Sequence, residues 1–418
     1  MVNESPLPLS ANRDFLLVLL GQGLSAFGSA LSVTALPLIV VSLTGSGFQL
    51  GLVGALETLP AFALCLVAGA YADRWDRRKV MIYSDLACGL LTAVIPLALW
   101  LDLPLMPIIY TVAAPLGVLG VLFVAAYTAA LFDLVGREQV GAANAYHQVV
   151  VTLGAVIGPG VAGFMLGRYG AATTLLVDAL SFVVAAGATM LVRRPLHRAS
   201  PGARASVRED IVEALRFVAD SALMRAMIPF YALVVCITAP LIPAVTFYVA
   251  LELGGDESDF GLLLSAYSVG NVAGYAAASR LTRGRLGRLM LASNFAYGWL
   301  LIGLALGTQD HVRMGLCGLA GAMSALTHIP YVTLRTTHTP DVMIARVSST
   351  ARMMHLGAHP LGLLLGGLAI DASSGSSTLL SVGVLSLLLS LAFLGSSELR
   401  NTSALTTRES ASEVAPHA

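Results

Sequence analysis

Apolar stretches of about 20 residues or more follow one another along almost the whole of this chain, separated by polar intervals that are mostly only a few residues long. At 1.5 Å per residue, such a run is long enough to cross the hydrocarbon of a bilayer as a helix, and it is too long for a strand. A helix satisfies its own backbone hydrogen bonds in lipid, which leaves a bundle of helices as the natural outcome. A transmembrane barrel would need short segments of alternating polarity, whereas these blocks are almost continuously apolar. Composition agrees, because 56% of the 418 residues are hydrophobic and 11% are charged, about half the charged share of a soluble domain. The expected fold is an all-α integral membrane protein.

Spans are expected near 14–42, 48–72, 80–101, 104–132, 139–167 and 171–192, and again near 222–250, 258–281, 288–307, 311–335, 342–370 and 376–396. That is twelve transmembrane helices in two pseudo-symmetric six-helix halves, 1–192 and 222–400, joined by a polar linker at 193–221. Within the linker, Glu209 to Asp220 reads as an interfacial amphipathic helix, with Ile211, Val212, Leu215 and Val218 on its apolar side. The Ser/Thr/Ala-rich end, 401–418, reads as disordered. Counting intervals alternately puts Arg74, Arg77, Arg78, Lys79, the linker arginines, Arg280 to Arg288, Arg335 and Arg400 on one side. The other side receives Arg168 together with Asp102, Glu252, Asp256, Glu257, Asp310 and Asp371. By the positive-inside rule both termini are expected in the cytoplasm, in a multi-pass protein of the cytoplasmic (inner) membrane. Cys65, Cys88, Cys236 and Cys317 all lie inside apolar blocks and read as small core residues. No metal site, cofactor or nucleic-acid partner is expected, no enzyme motif stands in a plausible context, and no cleavable signal is apparent.

The most informative polar interval is Gly69-Ala-Tyr-Ala-Asp-Arg-Trp-Asp-Arg-Arg-Lys79, a short cationic hinge between the second and third spans. A weaker echo stands one half later, from Gly274 to Arg288, with the basic residues kept and no aspartate where the first copy has Asp73. Lipid anchoring would account for the arginines, but it has no use for Asp73. The stretch from Gly69 to Arg78 resembles the glycine, aspartate and paired-arginine signature of the major facilitator superfamily, and the likeness extends over about 14–396. The resemblance implies a cytoplasmic latch of Gly69, Asp73, Arg77 and Arg78, joined by Asp133 at the inner end of the fourth span. It also implies alternating access in a single chain that functions as a monomer.

A second stretch, Gly154-Ala-Val-Ile-Gly158-Pro159-Gly160-Val-Ala-Gly163, says close helix packing by itself. It also resembles the glycine-proline signature in the fifth helix of proton-coupled drug exporters. Arg137 to Asn144 and Val177 to Phe182 look like the twelve-span subgroup that includes macrolide and siderophore exporters. The fourth span departs from many proton antiporters, because 111–132 contains no arginine. The implied function is secondary export of amphipathic organic molecules by proton antiport, with membrane lipid as the other partner. A dedicated siderophore or metabolite exporter is the alternative, and solute uptake is a weaker third.

Proton coupling needs a group whose protonation changes with exposure, and a charged carboxylate inside a span is costly. Glu57, Asp85 and Asp178 are the candidates, together with His355; bridging helices by hydrogen bonds is the competing role for each. Arg352 stands three residues from His355, near one helix face. The resemblance places a substrate cavity between the halves. Gln22, Phe27, Tyr127, Asn144, Tyr231, Phe247, Tyr267, Asn271, Tyr331 and Arg352 are candidates for its wall, as aromatics and amides suit an amphipathic ligand and also suit ordinary packing.

Overall fold

The computed structural model describes residues 8–64, 76–136, 138–194, 196, 207–281, 284–340 and 343–402. All regular structure among them is helical. The long helices are α1 (Arg13–Thr44), α2 (Gly47–Leu64), α3 (Arg77–Trp100), α4 (Leu105–Val135) and α5 (Val140–Met190). After the amphipathic α6 (Val207–Asp220) come α7 (Ala222–Thr238), α8 (Leu241–Phe247) with a following π-turn at Tyr248–Glu252, and α9 (Glu257–Leu281). The chain continues with α10 (Leu286–Leu306), α11 (Asp310–Thr337), α12 (Ile344–Ala372), α13 (Gly375–Leu394) and the short α14 (Ser397–Asn401). Nine stretches among the described residues are long and apolar enough to cross a membrane. Val140–Met190 is one of them, and Gly170, at φ 79° and ψ 170°, breaks it where the fifth and sixth spans are expected to part.

Helix ends follow local chemistry. Asn12 caps α1, its side chain accepting the Phe15 N–H at 3.1 Å, and Gly45 ends the helix at φ 58°, a conformation that glycine adopts without a Cβ penalty. Asp76 caps α3 through the Lys79 N–H at 3.2 Å, and Ser221 caps α7 through Met224 N–H. Prolines lie inside nine of the described helices, among them Pro37, Pro96, Pro159 and Pro330. Membrane helices tolerate such breaks because neighbouring helices re-satisfy the freed groups.

The chain forms two compact units. Unit 1 holds Met1–Ala203, Ile242–Ser265 and Leu363–Gly375; unit 2 holds Arg204–Leu241, Ala266–Gly362 and Ser376–Ala418. One core of unit 1 is built around Phe15, Met81, Tyr127, Leu131 and Leu134. A core of unit 2 gathers Met224, Met227, Phe230, Met290, Tyr331 and Leu334. Buried polar ties supplement this packing: on α10, Asn294 Nδ2 donates to Ser386 O at 3.0 Å and to Ser390 Oγ at 2.8 Å on α13.

Candidate functional site

The arginine-bearing end of unit 1 is held by cations aimed at helix C-termini. Arg77 Nη1 meets Asp133 Oδ2 at 2.8 Å and also donates to Ala129 O at 3.2 Å, with both side chains of the ion pair only 10% exposed. Arg78 Nη2 reaches Met190 O, the last residue of α5, and Arg194 Nη1 donates to Leu134 O near the end of α4. These carbonyls have no further turn to bond and carry the negative pole of the helix, so guanidinium groups suit them. Asp14 on α1 completes the tie by accepting the backbone N–H groups of Arg193 and Arg194. Arg77, Arg78 and Asp133 are thus brought to one end of unit 1, while Gly69 and Asp73 lie outside the described residues.

The glycine-proline stretch of α5 serves two neighbours. A Cβ on Gly154 would stand 3.0 Å from Phe27 N, and one on Gly158 only 2.4 Å from Ala30 Cβ, so these two glycines admit α1. On α9, a Cβ at Gly261 would come within 2.3 Å of Pro159 O; on α5, one at Gly163 would come within 2.5 Å of Glu257 O. Gly160 N–H donates to Ser265 Oγ at 2.9 Å in the same contact. The three glycines of the motif therefore sit at close helix crossings, where a side chain would push the helices apart, while Pro159 contributes its backbone carbonyl to the crossing with α9.

Of the three acids expected inside spans, Asp85 and Asp178 are buried, at 3% and 2% exposure, whereas the Glu57 side chain is exposed. Asp178 accepts a hydrogen bond from Ser32 Oγ of α1. Gly28 lets α1 lie over this place, for a Cβ there would stand 2.2 Å from Ser181 Oγ and 2.7 Å from Asp178 Oδ1. Asp85 faces Gln22, and its Oδ2 is buried without a hydrogen-bond partner. Glu57 lies within electrostatic reach of Asp178, and its backbone carbonyl abuts Gly117 of α4.

One feature of unit 1 is invisible to sequence reasoning. Asp371, the penultimate residue of α12, accepts hydrogen bonds from Ser46 Oγ at 2.8 Å, from Phe48 N–H at 3.0 Å and from Gly47 N–H. A carboxylate thus caps the start of α2 from another helix. Glycines make room for it, since a Cβ on Gly47 would lie 2.5 Å from Ile370 Cβ, and one on Gly51 would lie 2.3 Å from Leu363 O.

In unit 2 the candidates gather around His355. Its Nε2 lies 2.9 Å from the Tyr331 hydroxyl, and Tyr231 stacks on Tyr331 with ring centroids 4.1 Å apart and planes 8° from parallel. Arg335 places its guanidinium over Tyr331, 5.2 Å from the ring centroid, while Arg352 is exposed one turn before His355. Tyr267 and Asn271 form a separate group on α9, their backbones against Gly321 of α11. Tyr127 of unit 1 packs on His147 at 4.6 Å and is buried; Asn144 is exposed, Phe27 half-buried and Phe247 buried. The wall candidates therefore fall into several clusters. Among the described residues no group of His, Cys, Asp and Glu could hold a metal ion.

The chain is 28% identical over 395 residues to the multidrug efflux pump Tap of Mycolicibacterium fortuitum, covering 91% of this chain and 95% of that protein. It is 29% identical over 398 residues to the enterobactin exporter EntS of Citrobacter koseri, covering 91% and 92%. Among solved structures, a mutant of the nucleoside transporter NupG superposes with a TM-score of 0.78 at 12% identity, over 92% of this chain and 100% of that one, which shows a shared fold. A family model described as transmembrane secretion effector matches residues 5–417. With that match over nearly its whole length, the chain belongs to the transmembrane secretion effector family, a multi-pass membrane transporter of the major facilitator superfamily rather than an enzyme.

Proposed function

We propose that this protein is a secondary active exporter of amphipathic small organic molecules, working by alternating access and driven by inward proton flow. The observation that carries this reading is the glycine-proline stretch of α5, each of whose four marked residues meets a neighbouring backbone on α1 or α9. Contacts without intervening side chains let helices pack closely and part again with little side-chain rearrangement. A carrier needs such surfaces if its site is to open to either side in turn. The names of the relatives, a multidrug efflux pump and a siderophore exporter, agree with outward transport.

The same reading has twelve spans in two halves, both termini in the cytoplasm, and one chain as the functional unit. Arg77, Arg78 and Asp133 form the cytoplasmic tie, and Asp73 belongs with them. Protons pass through Glu57, Asp178 and Asp85, whose carboxyl groups lie on α2, α5 and α3. The discriminating experiment is transport by the purified protein in proteoliposomes under an imposed proton gradient, with a cationic drug, a macrolide and a siderophore as cargo. Gradient-dependent flux of one or more is expected. Flux unchanged when every ion gradient is collapsed would rule out antiport. Strong preference for the siderophore would favour the dedicated exporter, a reading that the similarity to EntS supports.

A further inference from the structure

Unit 1's spans carry three acids away from the helix ends, Glu57, Asp85 and Asp178, with His147 on α5 and the buried Arg77, paired with Asp133, at the start of α3. In unit 2 the described spans carry one carboxylate, Asp310 at the very start of α11, already bonded to Arg313 Nη1. Unit 2's spans also carry His328 and, in the last turn of α11, the half-buried Arg335, with the exposed Arg352 and with His355 and His359 on α12. Among the described residues, neither Arg335 nor Arg352 has a carboxylate within ion-pair distance.

Arg335 is the sharper case. Its Nη1 donates to the Tyr331 hydroxyl at 3.3 Å, and its Nε is buried with no hydrogen-bond partner. A guanidinium offers five donors in a fixed fork, and leaving a buried one unpaired is costly. Around it stands an aromatic bed of Tyr231 on Tyr331, with His355 edge-on to both rings at 4.8 and 5.2 Å. His328 lies beyond Tyr231, and the exposed Tyr275 beyond His328. An arginine that served only as an interfacial anchor would extend toward lipid phosphates, with its donors in water. Arg335 instead lies along a ring and keeps one donor buried.

We infer that this cluster is a binding subsite for an aromatic anion, with Arg335, backed by the buried Tyr331, taking the carboxylate, sulfonate or phenolate and the half-buried rings of Tyr231, His328 and His355 with the exposed Tyr275 taking the flat apolar body. The fork of Arg335 matches a two-oxygen anion, and among the described residues of unit 2 the one carboxylate within a span, Asp310, is already paired with Arg313. The inference rests on the transport reading and narrows its substrate class: cargo carries a negative charge on an aromatic frame.

The test is equilibrium dialysis of the full-length purified protein in detergent against radiolabelled 1-naphthoate and, in parallel, 1-naphthylmethanol, its neutral analogue. Naphthoate should bind about tenfold more tightly than the alcohol. Arg335→Gln should bring naphthoate down to the alcohol's level, and Arg335→Lys should keep part of the preference. Tyr331→Phe retains the ring stack and removes the hydroxyl that joins Arg335 to His355; it should weaken naphthoate several-fold and leave the alcohol unchanged. That variant decides the matter if Arg335→Gln fails to fold. Equal affinity for the two compounds, or an undiminished preference in the Arg335 or Tyr331 variants, would overturn the inference and leave Arg335 as an anchor. Because dialysis needs no flux, energised export of a cationic drug without naphthoate preference sinks this inference alone. Naphthoate preference without energised flux of any cargo sinks the export reading and leaves the subsite standing.

Discussion

Arg77 is 10% exposed, and Asp133 supplies its countercharge at 2.8 Å. Removing one partner of a buried pair leaves the other uncompensated, and Asp133→Ala is expected to lower stability by about 3 kcal/mol. Thermal unfolding in detergent measures this, and Arg77→Ala/Asp133→Ala should recover part of the loss. Gly28→Ala tests a different term. Its methyl would fall 2.2 Å from Ser181 Oγ, so α1 must shift away from Asp178. Overpacking of this kind costs about 1–3 kcal/mol, and a melting temperature equal to wild type would show that α1 yields freely. The sequence made Arg77 and Asp133 legible through a motif, and it made Asp178 legible as an acid in an apolar run. Gly28 and Ser32 left no such signal, because small residues are common throughout α1 and only the crossing of α1 over α5 gives these two a task.

At the scale of helices, the apolar runs and their polar breaks placed most elements to within a few residues, including the parting of α5 at Gly170. Partnership between helices was much less readable. Asp371 looks in sequence like one more acid in an exterior interval, and its partners at 46–48 lie more than 300 positions away. If Asp371 fastens α2 to α12, Asp371→Ala should loosen the start of α2. A single cysteine at Gln49 in a cysteine-free background should then react several-fold faster with a membrane-impermeant maleimide, since hydrogen bonds to a charged acceptor are worth about 1.5–3 kcal/mol. An unchanged labelling rate would mean that the glycine contacts hold the helices by themselves. Those contacts have their own test in Gly163→Val, whose side chain would meet the Glu257 carbonyl. Normal membrane insertion with flux reduced at least tenfold is expected, and wild-type flux would remove the crossing from the transport cycle.

Over the whole molecule, the proposed reading divides the work, with protons on the acids Glu57, Asp85 and Asp178 of unit 1 and cargo at Arg335 of unit 2. Glu57→Gln should then abolish acceleration of export by a proton gradient while leaving naphthoate binding intact, and Arg335→Gln should abolish the naphthoate preference while leaving gradient acceleration of any cationic cargo that is still exported. Parallel loss of both properties in either variant would show that the two tasks share one site. Composition reveals the acids and bases, but their grouping depends on which helices pack together. The break at Gly170 compresses a loop into one residue. Its φ of 79° and ψ of 170° turn the chain within a 51-residue helical run, a conformation that glycine adopts and residues with a Cβ rarely do, so the passage from the fifth span to the sixth tolerates no side chain at that position.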